Sequence, residues 1–110
     1  MLNQVVLVGR IASEFTTKEE DGKKITTVTI AIPRSFKNMD GEYETDFVDI
    51  RLFNSVATNT KEYCRKGDII GVKGRIQSTE IEKFHSKMKV LEVIAEKVTF
   101  LSSKSDKEQD

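Results

Sequence analysis

The stretch "FVDIRLF", residues 47–53, has an aliphatic side chain at every second position, which is the pattern of a half-buried β-strand. Successive side chains of a strand point to opposite faces, so one face carries Val48, Ile50 and Leu52. The other face carries two rings with an acid and a base between them: Phe47, Asp49, Arg51 and Phe53. The aliphatic face predicts packing on a core. The sequence therefore predicts two aromatic rings on the side that faces solvent.

The same two-residue period predicts four more strands along the chain. The five predicted strands are 3–12, 24–32, 45–53, 68–78 and 89–101. Residues 13–23 contain Ser, Thr, four acids and Gly22, and we predict a polar loop there. Pro33 cannot donate to a sheet ladder, so the second strand must end, bulge or run along an edge at that point. Asp40-Gly41 predicts a hairpin turn, and a second hairpin tip is predicted near residues 85–87.

One segment, "NSVATNTKEYCRKG" at 54–67, predicts a helix. Asn54 or Ser55 is expected to cap its N-terminus, and Gly67 is expected to stop it. The face predicted to pack inward carries Val56, Thr60 and Tyr63. Two basic residues complement the C-terminal end of the helix dipole, namely Arg65 and Lys66.

The order of these elements indicates the fold class. Five strands with one short helix between the third and fourth match a mainly all-β architecture, the five-stranded Greek-key barrel called the OB-fold. Glycines inside strands fit the bulges and kinks of a tight barrel, and they are Gly9, Gly71 and Gly74. The structural alternative is a five-stranded α+β sheet with one packed helix. We expect one domain, 1–102, followed by a short polar, disordered tail at 103–110.

Composition excludes several function classes. The chain has 110 residues with one cysteine, Cys64, and one histidine, His85, so we expect no disulfide framework, metal site or catalytic Cys–His pair. No glycine-rich phosphate loop is present, so we expect no nucleotide cofactor and no enzymatic activity. No apolar run approaches a membrane span and the N-terminus does not read as a signal peptide, which predicts a cytoplasmic protein. Lys plus Arg equals Asp plus Glu at 18 each, which argues mildly against a nucleic-acid binder.

Aromatic and basic side chains nevertheless share the surface that is predicted to face away from the core. The aromatic ones are Phe36, Tyr43, Phe47, Phe53 and Phe84, and the basic ones are Arg34, Lys37, Arg51, Lys73 and Arg75. Exposed rings stack on bases and cations follow phosphates, which is the chemistry that holds single-stranded nucleic acid. The pattern alone leaves three interpretations open: a stacking platform, a subunit interface and a satellite core.

The first strand bears on self-association. The segment "QVVLVG" has apolar residues on both faces, with Val6 and Val8 on one and Val5, Leu7 and Ile11 on the other. A strand that is apolar on both sides needs cover on both sides. We therefore predict at least a dimer.

Five segments in order resemble the bacterial single-stranded DNA-binding protein family. They are "MLNQVVLVGRI", "TIAIPRSF", "DGEYETDFVDIRLFN", "YCRKGDIIGVKGRIQS" and "EVIAEKVTFL", which together span residues 1–101. The resemblance implies an OB-fold and sequence-tolerant binding of single-stranded DNA in replication, recombination or repair. It also implies a homotetramer around which DNA wraps, with a homodimer as the second choice. By the same resemblance the stacking aromatics are Phe36, Phe47 and Phe53, and basic positions are Lys37, Arg65 and Lys66.

The chain departs from that family in three places. It has no tryptophan, and phenylalanine offers a smaller face for stacking. The family's basic stretch ending in an aromatic reads "QSTEI" at 77–81, and Phe84 is the candidate replacement from a shifted position. Residues 103–110 lack the acidic tip through which the family recruits replication proteins. The absent tryptophan, the lost basic stretch and the neutral charge favour an alternative, a primosome-type OB module that contacts proteins and binds nucleic acid weakly.

Overall fold

The computed structural model describes residues 1–103. They contain six strands and one helix. The strands are β1 (Val5–Ile11), β2 (Thr16–Glu20), β3 (Lys23–Lys37), β4 (Tyr43–Leu52), β5 (Ile69–Lys83) and β6 (Ser86–Ser102). The helix α1 spans Asn54–Tyr63, between β4 and β5. The predicted tail lies outside the described residues from 104 onward. No helix within the described part of the chain has the length and hydropathy that a membrane crossing requires.

The strands form one sheet, and an additional pairing joins its first strand to a later one. The order is β1-β5-β6-β4-β3-β2, and β1 also pairs with β3. Five strands therefore form a ring of pairings, β1–β5–β6–β4–β3–β1, in which β4 and β6 are parallel and the other neighbours are antiparallel. Two joints of this ring are short, because β1–β3 and β4–β6 each pair at two positions. This is the order expected of the predicted OB-fold, with β2 added beside β3.

The alternation in 47–53 is confirmed by burial. Ile50 and Leu52 are fully buried and Val48 is half-buried, whereas Phe47 is 68% exposed. The buried residues form one cluster drawn from every strand of the ring and from the helix region: Ile11, Val28, Ile30, Ile50, Leu52, Ala57, Cys64, Ile70, Val72 and Ala95. Burial of such side chains supplies the main favourable term in folding. The core therefore lies inside the ring of five strands.

The prediction of a loop at 13–23 is wrong, because β2 lies within it. Every residue of β2 is exposed, so the strand has no apolar alternation to reveal it. It is held by main-chain pairing with β3 and by the Thr17–Thr26 hydroxyl contact of 3.0 Å. Asp21 and Gly22 both have positive φ, which matches the tight hairpin turn that an Asp-Gly pair favours. The Asp21-Gly22 dipeptide is the sequence feature from which this hairpin could have been predicted.

The predicted helix is too long and its caps are wrong. Helix α1 ends at Tyr63, and Cys64 follows in an extended conformation, so Gly67 does not stop it. Phe53 is the N-cap residue, with φ −127° and ψ 151°, and no side chain caps the N-terminus. Ala57 and Thr60 are buried, whereas Tyr63 is 69% exposed and does not pack inward. The turn at 65–68 instead ties the chain to β1, because the amide of Gly67 donates to the carbonyl of Ile11 at 2.8 Å.

Two hairpins extend beyond the ring. The β3–β4 arm, residues 32–46, continues through Pro33 with a register shift between Pro33 and Lys37, so of the three outcomes expected at Pro33 the structure shows the bulge. The β5–β6 arm, residues 77–92, turns at Phe84 and His85, slightly before the predicted tip. Both strands of this arm run several residues farther than predicted. Their side chains there are almost all exposed, so no alternation of buried and exposed positions marks the strands in the sequence.

Candidate nucleic-acid interface

A broad groove lies at the C-terminal end of β4. It has a volume of about 1770 Å³ and lies between the β2–β3 hairpin and helix α1 on one side and the β5–β6 arm on the other. Its lining includes Arg51 and Phe53 from the quoted stretch, with Arg75, Gln77 and Ile81 from β5. The groove is partly open to solvent.

Strand β4 presents two phenylalanines on its outward face. Phe47 stands opposite Ala31 of β3 and is 68% exposed. Phe53 follows the last residue of β4, lines the groove and is half-buried. A strand rises about 3.3 Å per residue, so the two backbone positions are about 20 Å apart. Between them Asp49 accepts a hydrogen bond from the Thr29 hydroxyl at 2.7 Å.

The β3–β4 arm carries the third predicted stacking residue. Phe36 is 68% exposed and lies beyond the bulge in β3. Near it, Lys37 pairs with Tyr43, and the Lys37 ammonium lies 5.7 Å from the centre of the Tyr43 ring. A cation over an aromatic face is a favourable contact. The arm thus combines two exposed rings with a positive charge.

Both predicted arginines of the groove have partners within the protein, and the partners of Arg51 are carboxylates. Arg51 Nε contacts Glu92 Oε2 at 2.7 Å, and its Nη1 lies 3.8 Å from Glu20 Oε2. Arg75 Nη1 donates to Gln77 Oε1 at 2.7 Å, and its Nε lies 4.0 Å from Glu96. Both guanidinium groups are therefore at the predicted surface but are partly neutralised there.

Arg34 lies on the other face of the β3–β4 arm. It contacts Glu44 at 2.7 Å and Asp46 at 2.8 Å, and these acids alternate with Phe47 along β4. The hydrogen bond from Arg34 lowers the pKa of the Asp46 carboxyl below its ordinary value. The structure therefore does not bring Arg34 together with Phe47 on one face.

Three further predicted cations lie outside the groove lining. Lys73 is exposed and pairs in register with Val6 of β1 and Lys97 of β6. Arg65 Nη1 donates to the carbonyls of Lys61, Glu62 and Cys64, so it satisfies the C-terminal end of α1 as predicted. Lys66 is exposed in the same turn.

The tip of the β5–β6 arm carries Phe84. Its side chain is 86% exposed, and the Lys83 ammonium lies 5.5 Å from its ring. Its φ of 53° and the φ of 62° at His85 are left-handed values that bulky residues rarely adopt. Lower on the arm, Ile81 lines the groove and pairs across the hairpin with Met88. An aliphatic pair therefore occupies the place at which the family resemblance implies an aromatic.

Sequence reasoning missed three lysines that line the groove. They are Lys23 and Lys24 in the β2–β3 hairpin and Lys61 on α1. The turn signal at Asp21-Gly22 could have placed the first two beside β4. The groove as a whole is not basic, because its five cations face six carboxylates, which are Glu20, Asp21, Glu62, Glu80, Glu92 and Glu96.

Comparisons with known proteins identify the family. The model of the single-strand binding protein family matches residues 2–101. Single-stranded DNA-binding protein B of Bacillus subtilis is 42% identical over 106 residues, which cover 94% of each chain. Single-stranded DNA-binding protein 2 of Staphylococcus aureus is 38% identical over 99% of this chain and 80% of its own length.

Solved structures agree on the fold. A Plasmodium falciparum single-strand binding protein in complex with single-stranded DNA superposes with a TM-score of 0.76 at 22% identity, over 93% of this chain and 96% of that one. A mitochondrial single-stranded DNA-binding protein of Saccharomyces cerevisiae gives 0.74 at 25% identity, over 94% and 99%. The predicted OB-fold is thereby confirmed. The matched family model and the identity to the curated relatives establish that this chain belongs to the single-strand binding protein family.

Proposed function

We propose that this protein binds single-stranded DNA without sequence preference and without catalysing a reaction. The observation that carries the proposal is the pair of rings on the open face of β4, since Phe47 is 68% exposed and Phe53 lines the groove. Every base has a flat face, so stacking on these rings tolerates sequence, at about 1–3 kcal/mol per base. Duplex DNA hides those faces and is therefore a poor ligand.

The arms extend the proposed contact surface. Phe36 on the β3–β4 arm and Phe84 at the tip of the β5–β6 arm add stacking positions at either end. Phosphates are contacted mainly by lysines, with Lys23, Lys24 and Lys61 in the groove and Lys37 on the β3–β4 arm. The arginines that line the groove contribute less, because Arg51 contacts Glu92 at 2.7 Å and Arg75 donates to Gln77 at 2.7 Å. This surface suits protection of exposed strands during replication, recombination or repair in the bacterial cytoplasm.

We further propose that the chain assembles with itself, as a tetramer. Val6 and Val8 are 66% and 53% exposed on the outer face of β1. Strand β1 pairs with β5 along Val5–Arg10 but with β3 only at Arg10 and Ile11, so within residues 1–103 most of its second edge has no strand beside it. An apolar strand with a free edge is a ready surface for a second copy. Light scattering should give a multiple of the 12.5 kDa chain mass, and a monomer at micromolar concentration would contradict the proposal.

Fluorescence anisotropy with labelled oligo-dT tests the proposed binding. We expect saturable binding that weakens with salt, because cations on the protein release the counterions of the strand. A duplex of the same length should bind much more weakly. No binding to oligo-dT at low salt would overturn the proposal and would favour the protein-interaction module instead.

A further inference from the structure

All five arginines of the chain are bonded within the protein. Arg10 donates to the carbonyl of Gly67 at 2.6 Å, and Arg65 donates to three carbonyls at the end of α1. Arg34, Arg51 and Arg75 each face carboxylates. Guanidinium is the side chain best shaped for phosphate, since its planar fork can donate two parallel hydrogen bonds. In this protein that chemistry is directed toward internal partners.

Arg51 is the arginine for which this matters most to a bound strand. It lies on the same face of β4 as Phe47 and Phe53, and it lines the groove with Glu20 and Glu92. The Arg51 side chain is 28% exposed and that of Glu92 is only 15% exposed, so their 2.7 Å contact is sheltered from solvent. Glu20, 53% exposed, approaches from the opposite side at 3.8 Å. One cation therefore stands between two anions at the middle of the proposed binding surface.

A phosphate that approaches Arg51 meets a net negative group. It must share the guanidinium with two carboxylates that repel it, or displace the short contact to Glu92. A free lysine attracts phosphate and releases condensed counterions from the strand, which makes its contribution depend on salt. An arginine whose counterion is a tethered carboxylate attracts little phosphate and adds little salt dependence.

We propose that Glu92, assisted by Glu20, withholds Arg51 from the phosphate backbone and thereby limits both the affinity for single-stranded DNA and its salt dependence. This inference rests on the proposed function. It makes Glu92 an affinity-determining residue that touches no base. It also explains how a neutral chain with a groove of mixed charge can hold DNA mainly by its rings and lysines.

The structure offers a competing explanation of the same contact. Strands β4 and β6 pair only at Ile50–Val93 and Arg51–Ile94, and the Arg51–Glu92 bond lies beside that short joint. On this explanation the pair only fastens β4 to β6. The two explanations differ in what Glu92→Gln does, since the amide keeps the shape and an acceptor oxygen but removes the charge.

The test compares E92Q with wild type in oligo-dT titrations from about 50 to about 200 mM salt. We expect E92Q to bind more tightly at low salt, with a slope of log affinity against log salt steeper by about 0.7, the value for one additional phosphate contact on a single strand. Over that fourfold range of salt, its advantage over wild type should shrink by a factor of about 2.6. The R51Q/E92Q double variant should lose the gain. The matched control is E82Q, which removes one charge from the β5–β6 arm outside the groove lining.

Each outcome decides between the explanations. A steeper slope in E92Q alone supports the inference. An unchanged slope overturns it, and a lower melting temperature in the same variant would show that the pair is structural. An equal gain in E82Q also overturns it, because the effect would then be one of overall charge. Failure of wild type to bind oligo-dT would instead overturn the proposed function itself.

Discussion

The ring of five strands and the two arms are built on different principles. The ring encloses ten buried apolar residues together with the helix region, and Ile30, Ile50 and Leu52 in it have no exposed surface. Neither arm has a single buried residue along 32–46 or 77–92. The arms hold their shape through main-chain pairing within each hairpin. The same strands thus run from a packed interior into solvent.

This difference separates stability from the proposed binding. Every second side chain of the ring strands points inward, and these aliphatic side chains offer no donor or flat face to a ligand. The arms and the outward face of β4 expose aromatic rings that contribute little to the core. We therefore expect substitutions of inward-facing ring residues to change folding, and substitutions on the arms or on the outward face of β4 to change binding.

The largest expected effect is on the ring. Ile30→Ala removes a fully buried side chain and should lower the free energy of unfolding by about 2–5 kcal/mol. Ile81→Ala on the β5–β6 arm removes the same atoms from a 40% exposed position and should cost less than about 1 kcal/mol. Urea denaturation of the two variants measures both values. Equal destabilisation would contradict the distinction between ring and arms.

A smaller effect is expected where the ring meets the β5–β6 arm. Gly74 lies at the register shift between β5 and β6, and a Cβ there would overlap the carbonyl oxygen of Ile94. Gly74→Ala should lower the free energy of unfolding by about 1–3 kcal/mol, because backbone must move to admit the methyl group. Gly71→Ala is the control, since its Cβ meets only Leu101 at 3.7 Å, an ordinary contact. Thermal melts that shift equally for both would show that the close approach at Gly74 does not matter.

The ring could be predicted from the sequence because its strands carry the alternation that burial demands. Val48, Ile50 and Leu52 reveal one such strand without any other information. Strand β2 could not be found this way, because "TTKEE" is exposed on all sides and is held by main-chain bonds that any sequence can make. The ends of the arms were missed for the same reason.

The candidate site was predictable in its aromatics and not in its charges. Alternation alone places Phe47 and Phe53 on the outward face. The partner of Arg51 could not be inferred, because Glu92 is brought beside it only by the short parallel joint of β4 and β6. Likewise, nothing local shows that Arg34 binds acids on the face opposite Phe47.

The smallest expected effect is at the tip of the β5–β6 arm. Phe84 and His85 adopt φ values of 53° and 62°, which Asn-Gly accommodates far better. Relief of this strain in the F84N/H85G variant should stabilise the arm by about 1 kcal/mol. Hydrogen exchange of the arm amides should slow accordingly, while oligo-dT affinity should fall because one ring is lost. H85G alone keeps the ring and should keep the affinity; equal losses in both variants would contradict a binding role for Phe84.

The central claim is that rings on the open face of β4 and on the β3–β4 arm hold single-stranded DNA. The most direct test is oligo-dT anisotropy on the F36A/F47A/F53A variant, with circular dichroism to verify the fold. At about 1–3 kcal/mol per stacked base, the three losses together should weaken binding by more than about 100-fold. Phe100→Ala removes a 46% exposed ring from β6, where Phe100 pairs with Ile70 of β5 and lies on neither β4 nor an arm, and it should leave the affinity unchanged. A folded triple variant that binds oligo-dT as tightly as wild type would contradict the account.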